Sequence, residues 1–266
     1  MTELTLTKHH ALGNDFLVTF HPGVEDVGAL AVRLCDRRRG VGADGLLIGE
    51  SEPGHAARMV LFNADGSPAE MSGNGIRCFA HALAARRGNF DEQLILTDAG
   101  PRLVQFEADS TIRSATAGVS MGEITTVPAP SGWAALGVNE HRPVMHLSTG
   151  NPHSVVGVDD VSMVDLLALG QQLPHVNLEV IEPGPGPAEI TMRVHERGAG
   201  LTQACGTGAC ASAWAASSWG FVSGTATEII VHMPGGAVTV RLNDPAPRHV
   251  TLVGPAVRVG SITVVL

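Results

Sequence analysis

The order of apolar and polar positions predicts many short strands and few helices. Residues 4–8 and 16–20 read as strands on either side of a Gly13-Asn14-Asp15 turn. Val27–Cys35 reads as a helix, closed by Arg37-Arg38-Arg39 and Gly40. Residues 45–49 and 59–63 follow as strands, then a long Ala-rich helix over Gly73–Arg87 that ends at Gly88. Strand-like runs continue to about residue 117, bounded by turns such as Asp98-Ala-Gly-Pro101. The second half repeats the plan, with strands at Val144–Ser148, 154–158 and 189–194 and a helix over Gly206–Trp219 that stops at Gly220. Further strands include 238–242 and 262–266, and the Pro/Gly-rich stretch 183–187 is a loop within this half.

The two Ala-rich helices open alike. One begins Ser72-Gly-Asn-Gly75, the other Cys205-Gly-Thr-Gly208, and the two align without gaps. In each, a small nucleophile-type side chain precedes Gly-polar-Gly at a helix N-terminus, where free N–H groups and the helix dipole favour negative charge. A Gly-rich strand-to-helix turn is common. Two matched ones, one per half, point to a duplicated domain with one ligand held between two helix tips.

Composition narrows the class. The chain has 266 residues, 44% of them hydrophobic, and a mean hydropathy of +0.17. These values fit a well-packed protein of one large or two ordinary domains. No segment is long and apolar enough for a membrane span, and no secretory leader is legible at the N-terminus, so a cytoplasmic location is expected. A net charge of −9 with no basic tract argues against nucleic acid as a partner. The four cysteines, Cys35, Cys78, Cys205 and Cys210, show neither C-x-x-C pairing nor zinc spacing and read as reduced thiols. Cys205 stands apart, because a helix tip is where a thiol pKa is expected to fall. Lys8 is the one lysine and stands in a strand, a poor Schiff-base candidate, so amino-acid chemistry here would proceed without pyridoxal phosphate.

Five motifs carry a resemblance: Lys8-His-His-Ala-Leu-Gly-Asn-Asp-Phe16, Arg39-Gly-Val-Gly-Ala-Asp44, the run from Phe62 to Cys78, Thr149-Gly-Asn-Pro-His153, and the run from Glu196 to Gly208. In this order, over nearly the whole chain, they resemble the diaminopimelate epimerase family. The resemblance implies an α+β fold of two pseudo-symmetric domains, each a curved, barrel-like mixed sheet around a central α-helix. Residues 1–117, completed by strand 255–266, form one half and 118–254 the other, with the active site expected in the cleft between them. It also implies two-base inversion of LL-2,6-diaminopimelate to the meso form, on the route to lysine and peptidoglycan. That reaction uses no cofactor and no metal; the partner is the small-molecule substrate, and a homodimer is left open.

Inverting a Cα–H centre without a cofactor needs a base on one face and an acid on the other. The family uses two cysteines. Cys205 matches the second, and Ser72 stands where the family carries the first. An engineered substitution, a natural Ser/Cys pair and a loss of epimerase activity are all compatible with that departure. Glu196 and His153 match positions near the thiols and join Ser72 and Cys205 in the expected catalytic set. Asn14, Asn63, Asn151 and Asn177 match the family's amide ligands, Arg197 supplies a bidentate fork for the distal carboxylate, and Glu196 is also placed for the distal ammonium. Backbone N–H groups at Gly73, Asn74, Gly206 and Thr207 are expected to take the α-carboxylate. Two smaller departures are Leu201, where the family usually has Glu, and Gly45, where many members carry Gln. A related cofactor-independent racemase using a Ser/Cys pair, and a non-catalytic diaminopimelate-binding homologue, are the alternatives.

Overall fold

The computed structural model describes residues 3–20 and 22–266, and the chain divides into two compact units, Met1–Val119 with Gly254–Leu266, and Ser120–Val253. The first contains β1 (Glu3–Ala11), β2 (Asn14–Phe20), α1 (Val27–Cys35), β3 (Gly45–Glu50), β4 (Ala57–Asn63), β5 (Pro68–Ala69), α2 (Gly73–Arg87), β6 (Gln93–Thr97), β7 (Gly100–Phe106) and the start of β8 (Ser114–Glu123). The second contains β9 (Thr125–Thr126), β10 (Val144–Ser148), β11 (Pro152–Gly157), α3 (Leu166–Gln171), β12 (Asn177–Pro183), β13 (Glu189–Glu196), β14 (Gly200–Leu201), α4 (Gly206–Trp219), β15 (Glu228–Met233), β16 (Gly236–Leu242) and the start of β17 (His249–Val265).

The fold is α+β and pseudo-symmetric, and the strand pairing shows why. In the first unit β1–β2 is antiparallel, β2–β3 parallel, β3–β4 antiparallel, β4–β6 parallel and β6–β7 antiparallel. In the second the same succession runs through β10, β11, β12, β13, β15 and β16. Parallel neighbours need a crossover; α1 and α3 supply the first in each unit, and α2 and α4 the second. The mixed sheet of the first unit is extended by β8 against β7 and by β17 against β1.

The central helices are buried almost all round. Residues 73–84 of α2 are all buried, packed against β1 to β4, and α4 packs likewise against β10 to β13, β15 and β16. Such a position rules out an amphipathic stripe and selects small residues, which is why both helices are rich in Ala and Gly. Each ends in a left-handed glycine, Gly88 (φ 77°) and Gly220 (φ 72°). The opposite sheet faces are covered by α1, through Leu30, Ala31 and Leu34 against Leu17, Leu46 and Ile48, and by α3, through Leu166, beside Val156, Leu178 and Val180. Strands covered on both faces lose their alternation. That is how β12, buried from Asn177 to Ile181, escapes a period-two reading, as does the six-residue α3. Among the described residues, no helix is long and apolar enough to cross a membrane.

His9 of β1 and His81 of α2 meet edge-to-face, ring centroids 5.2 Å apart, both fully buried. Burial, and then the neighbouring His81 and Arg258, push the His9 pKa from 6.5 down to about 3. The unfolded chain therefore binds this proton at a higher pH than the folded one. Stability is complete above pH 6.5 and falls as the pH drops toward 3. Urea unfolding at pH 4.5 is expected to show about 2–3 kcal/mol less stability from His9 than at pH 7.5. In His9→Gln that pH-dependent part should vanish; an unchanged difference would show that His9 does not carry it.

Candidate active site

Each central helix begins with a side chain folded back on its own first turn. Ser72 caps α2 with extended backbone (φ −138°, ψ 123°), and its Oγ accepts from Gly75 N–H at 3.0 Å. Cys205 caps α4 in nearly the same conformation (φ −127°, ψ 114°), and its Sγ accepts from Gly208 N–H at 3.3 Å. Both are N-caps in geometry, although cysteine is an unusual choice. The close approach explains the second glycine of each motif. A Cβ on Gly75 would lie 3.0 Å from Ser72 Cβ, and one on Gly208 would lie 3.2 Å from Cys205 Sγ and 2.7 Å from Glu179 Oε1.

In the first unit, Phe16, Gly45 and Asn63 align across β2, β3 and β4, so Asn14 and Asn63 emerge at the same end of the sheet. The Phe16 ring lies against the position a Cβ of Gly45 would take, and against that of Gly75; this small residue lets the ring reach the helix tip. Asn14 Nδ2 donates to Asp44 Oδ2 at 2.8 Å, and Asn74 Nδ2 donates to Asn14 Oδ1 at 3.3 Å. Asn74 Oδ1 in turn accepts from the fully buried Arg77 at 2.7 Å. Asp44 and Asp15 share Arg37, and Asp15 also pairs with Lys8 at 2.9 Å; the hydrogen bonds from Arg37 and Lys8 outweigh burial and hold the Asp15 carboxyl below its usual range. Lys8 is thus committed to structure. Asn63 is exposed and donates to Ser67 Oγ at 3.0 Å.

In the second unit, His153 stands beside Asn177 across β11 and β12, and Leu178 beside His195 on β13. Side chains alternate along strands, so His153, Asn177, Glu179 and Glu196 share the face toward the start of α4. Asn177 Oδ1 accepts from the Arg197 backbone N–H at 2.8 Å, which fixes the turn that presents the exposed Arg197 side chain. Glu196 accepts a short hydrogen bond from Thr202 Oγ1. His153 Nδ1 lies 2.7 Å from Glu179 Oε1, both residues fully buried, and its Nε2 lies 3.0 Å from Asn151 Oδ1. Asn151 Nδ2 donates to Thr207 Oγ1 at 3.3 Å, itself 3.4 Å from Cys205 Sγ.

The electrostatics of Cys205 reverse the expectation of a depressed pKa. The residue is 4% exposed, and burial, followed by the charges of Glu196 and Glu179, pushes the thiol well above its ordinary range despite the hydrogen bonds from Thr207 and Gly208. Cys205 therefore rests as a thiol. The other cysteines are buried as well; desolvation raises Cys35 to about 11 and Cys78 to about 12. Arg77 and Glu179 are among the network residues not anticipated from the sequence. The clues were there: Arg77 is three residues beyond Asn74 in a helix, and Glu179 two beyond Asn177 in a strand, spacings that put each pair on one face. Among the described residues, no cluster of three or more His, Cys, Asp or Glu side chains is placed to hold a metal ion.

A family model described as diaminopimelate epimerase matches residues 6–127 and 145–259. The diaminopimelate epimerase of Halothermothrix orenii is 36% identical over 285 residues, covering 96% of this chain and 95% of that protein. That of Thermosynechococcus vestitus is 37% identical, covering 98% and 99%. A Bacillus anthracis phenazine biosynthesis protein of the PhzF family superposes with a TM-score of 0.77 at 17% identity, over all of both chains. A hydroxyproline epimerase from Agrobacterium vitis, solved with trans-4-hydroxy-L-proline, gives 0.66 at 14% identity over 99% of this chain and 91% of that one. At these identities the two structures share the fold.

Proposed function

We propose, since this chain belongs to the diaminopimelate epimerase family and is an isomerase, that it inverts LL-2,6-diaminopimelate to the meso form without a cofactor, and does so slowly because of Ser72. The observation that carries the reading is the pair of matching caps: Ser72 and Cys205 hold a reactive side chain in one conformation at the tips of equivalent helices. Cys205 serves one face of the substrate Cα and position 72 the other. Glu196 and His153 complete the catalytic set around the thiol.

Binding divides by chemistry. The α-carboxylate is taken by the helix-tip N–H groups of Gly73, Asn74, Gly206 and Thr207, where developing negative charge is best stabilised. Arg197 forks the distal carboxylate, Glu196 meets the distal ammonium, and Asn14, Asn63, Asn151 and Asn177 supply amides. The exposed guanidinium of Arg197 fits a doubly charged substrate better than a small cyclic amino acid, which has no distal carboxylate. Arg197→Met is expected to raise KM for diaminopimelate by roughly 10–100-fold, with kcat affected less, as loss of a charged bidentate contact predicts. Steady-state kinetics would decide it; an unchanged KM removes Arg197 from the binding set.

The test of the reading as a whole is exchange in D₂O, with LL- and meso-diaminopimelate offered separately to this chain and to Ser72→Cys. Deuterium uptake without rapid inversion in the serine form, and rapid inversion in the cysteine form, is the expected outcome. Absence of both binding and exchange in both forms would refute the substrate.

A further inference from the structure

The hydrogen-bond chain behind Cys205 has a direction that can be worked out atom by atom. Asn151 Oδ1 accepts from Thr149 Oγ1 at 3.2 Å and faces His153 Nε2 at 3.0 Å. The amide oxygen cannot donate, so Nε2 carries a hydrogen. Asn151 Nδ2 donates to Thr207 Oγ1, which leaves the hydroxyl proton of Thr207 for Cys205 Sγ. The polarity of the whole chain thus depends on the His153 tautomer, and that is set from the ring's other side, where Glu179 Oε1 lies 2.7 Å from Nδ1.

Glu179 is an unusual residue to find there. It is fully buried in β12, between Leu178 and Val180, and among the described residues His153 is its side-chain ion-pair partner. An unpaired carboxylate at such a site would be costly. Gly208 leaves the space it occupies, since a Cβ there would come within 2.7 Å of Oε1.

We propose that Glu179 is a positioning residue for Cys205: by its hydrogen bond to Nδ1 it holds His153 so that Nε2–H is presented to Asn151, and through Asn151 it keeps the Thr207 hydroxyl directed at the sulfur. The proposal rests on the epimerase reading for its catalytic consequence, but not for its effect on the thiol. Burial raises the Glu179 carboxyl above its ordinary range, opposed by His153, and the 2.7 Å contact between Oε1 and Nδ1 requires one hydrogen between them. The titratable groups facing the start of α4 from the sheet are His153 on β11, Glu179 on β12 and Glu196 on β13, with Cys205 at the tip itself.

Two substitutions keep and remove the hydrogen bond to Nδ1. In Glu179→Gln the amide N–H₂ still donates to Nδ1, so the Nε2–H tautomer survives. The pH profile for alkylation of Cys205, followed on its own peptide by mass spectrometry with iodoacetamide as the probe, is expected to stay within about 0.3 unit of that of the unaltered protein, whereas loss of the Thr207 hydrogen bond in Glu179→Leu is expected to move it to higher pH by about half a unit or more. In Glu179→Leu, Nδ1 has no partner and the tautomer is released. Cα-proton exchange of diaminopimelate in D₂O is then expected to fall on the order of 100-fold, with KM within about threefold. A Leu variant whose alkylation profile overlays that of the unaltered protein, or one that exchanges at full rate, overturns the proposal. Should the Leu variant fail to fold, the Gln variant decides: exchange within about threefold of the unaltered rate is expected, and a fall on the order of 100-fold overturns the proposal. Failure of the unaltered protein to exchange diaminopimelate would count against the substrate, not against Glu179, because the alkylation arm needs no substrate.

Discussion

Ser72→Cys is expected to accelerate inversion of LL-diaminopimelate by roughly 10²–10⁴-fold, the span usual for a positioned acid–base group. KM should change by less than about threefold, because the substitution alters a reacting atom and no binding contact. Among the described residues, the partner of Ser72 Oγ is the Gly75 N–H. With no histidine or carboxylate hydrogen-bonded to it among the described residues, the serine hydroxyl is a weak base. Sulfur in the same cap would accept the same bond, as Cys205 does from Gly208. The surroundings of the two caps also differ in sign. The α2 network ends on the buried cation Arg77, whereas Cys205 is opposed by the carboxylates Glu196 and Glu179. A cysteine at 72 is therefore expected to ionise more readily than Cys205, which rests as thiol, and so to serve as base to its acid in inversion from one side. Conversion of LL to meso substrate, followed by NMR, measures this directly. Equal rates for the serine and cysteine forms would make Ser72 a competent acid or base in its own right.

Removing the thiol should have the second large effect. Cys205→Ala is expected to reduce deuterium uptake at Cα by at least about 10³-fold, to the level of free solution chemistry. In the unaltered chain, uptake on the Cys205 face should climb with pH. The thiol is raised above its ordinary pKa, so the thiolate fraction, and with it the exchange rate, grows about tenfold per unit through the neutral range. The sign is the point of the experiment: a thiol depressed by its helix tip would give a rate already flat at pH 7. Exchange that persists in Cys205→Ala would place the base elsewhere.

Much of this was legible in the chain itself. The bounds of α1, α2 and α4 agree with the sequence reading residue for residue, because the breakers that end a helix, Gly88 and Gly220 above all, are local. The family was legible too, in five ordered motifs. By contrast, β12, β15 and α3 were not distinguished, and β17 only at its end. β12 is covered on both faces and so has no period to detect, and α3 is too short to establish one. Glu179 was missed for the same reason: inside an undetected strand, a lone acid looks like loop.

The sequence alone determined which side chains cap the two helices, that one is serine and the other cysteine, and that small residues must fill both helix interiors. These are properties of nearest neighbours and of spacing. The tertiary structure decided the electrostatic surroundings of each cap. Whether a thiol at a helix tip ionises depends on how much water reaches it and on which charges lie across the sheet from it. Arg77 points from α2 to Asn74 in one unit, and Glu179 comes from β12 to His153 in the other, brought there from a strand 26 residues beyond that histidine. Burial and long-range charge are set by packing, and for Cys205 they outweigh the helix-tip rule.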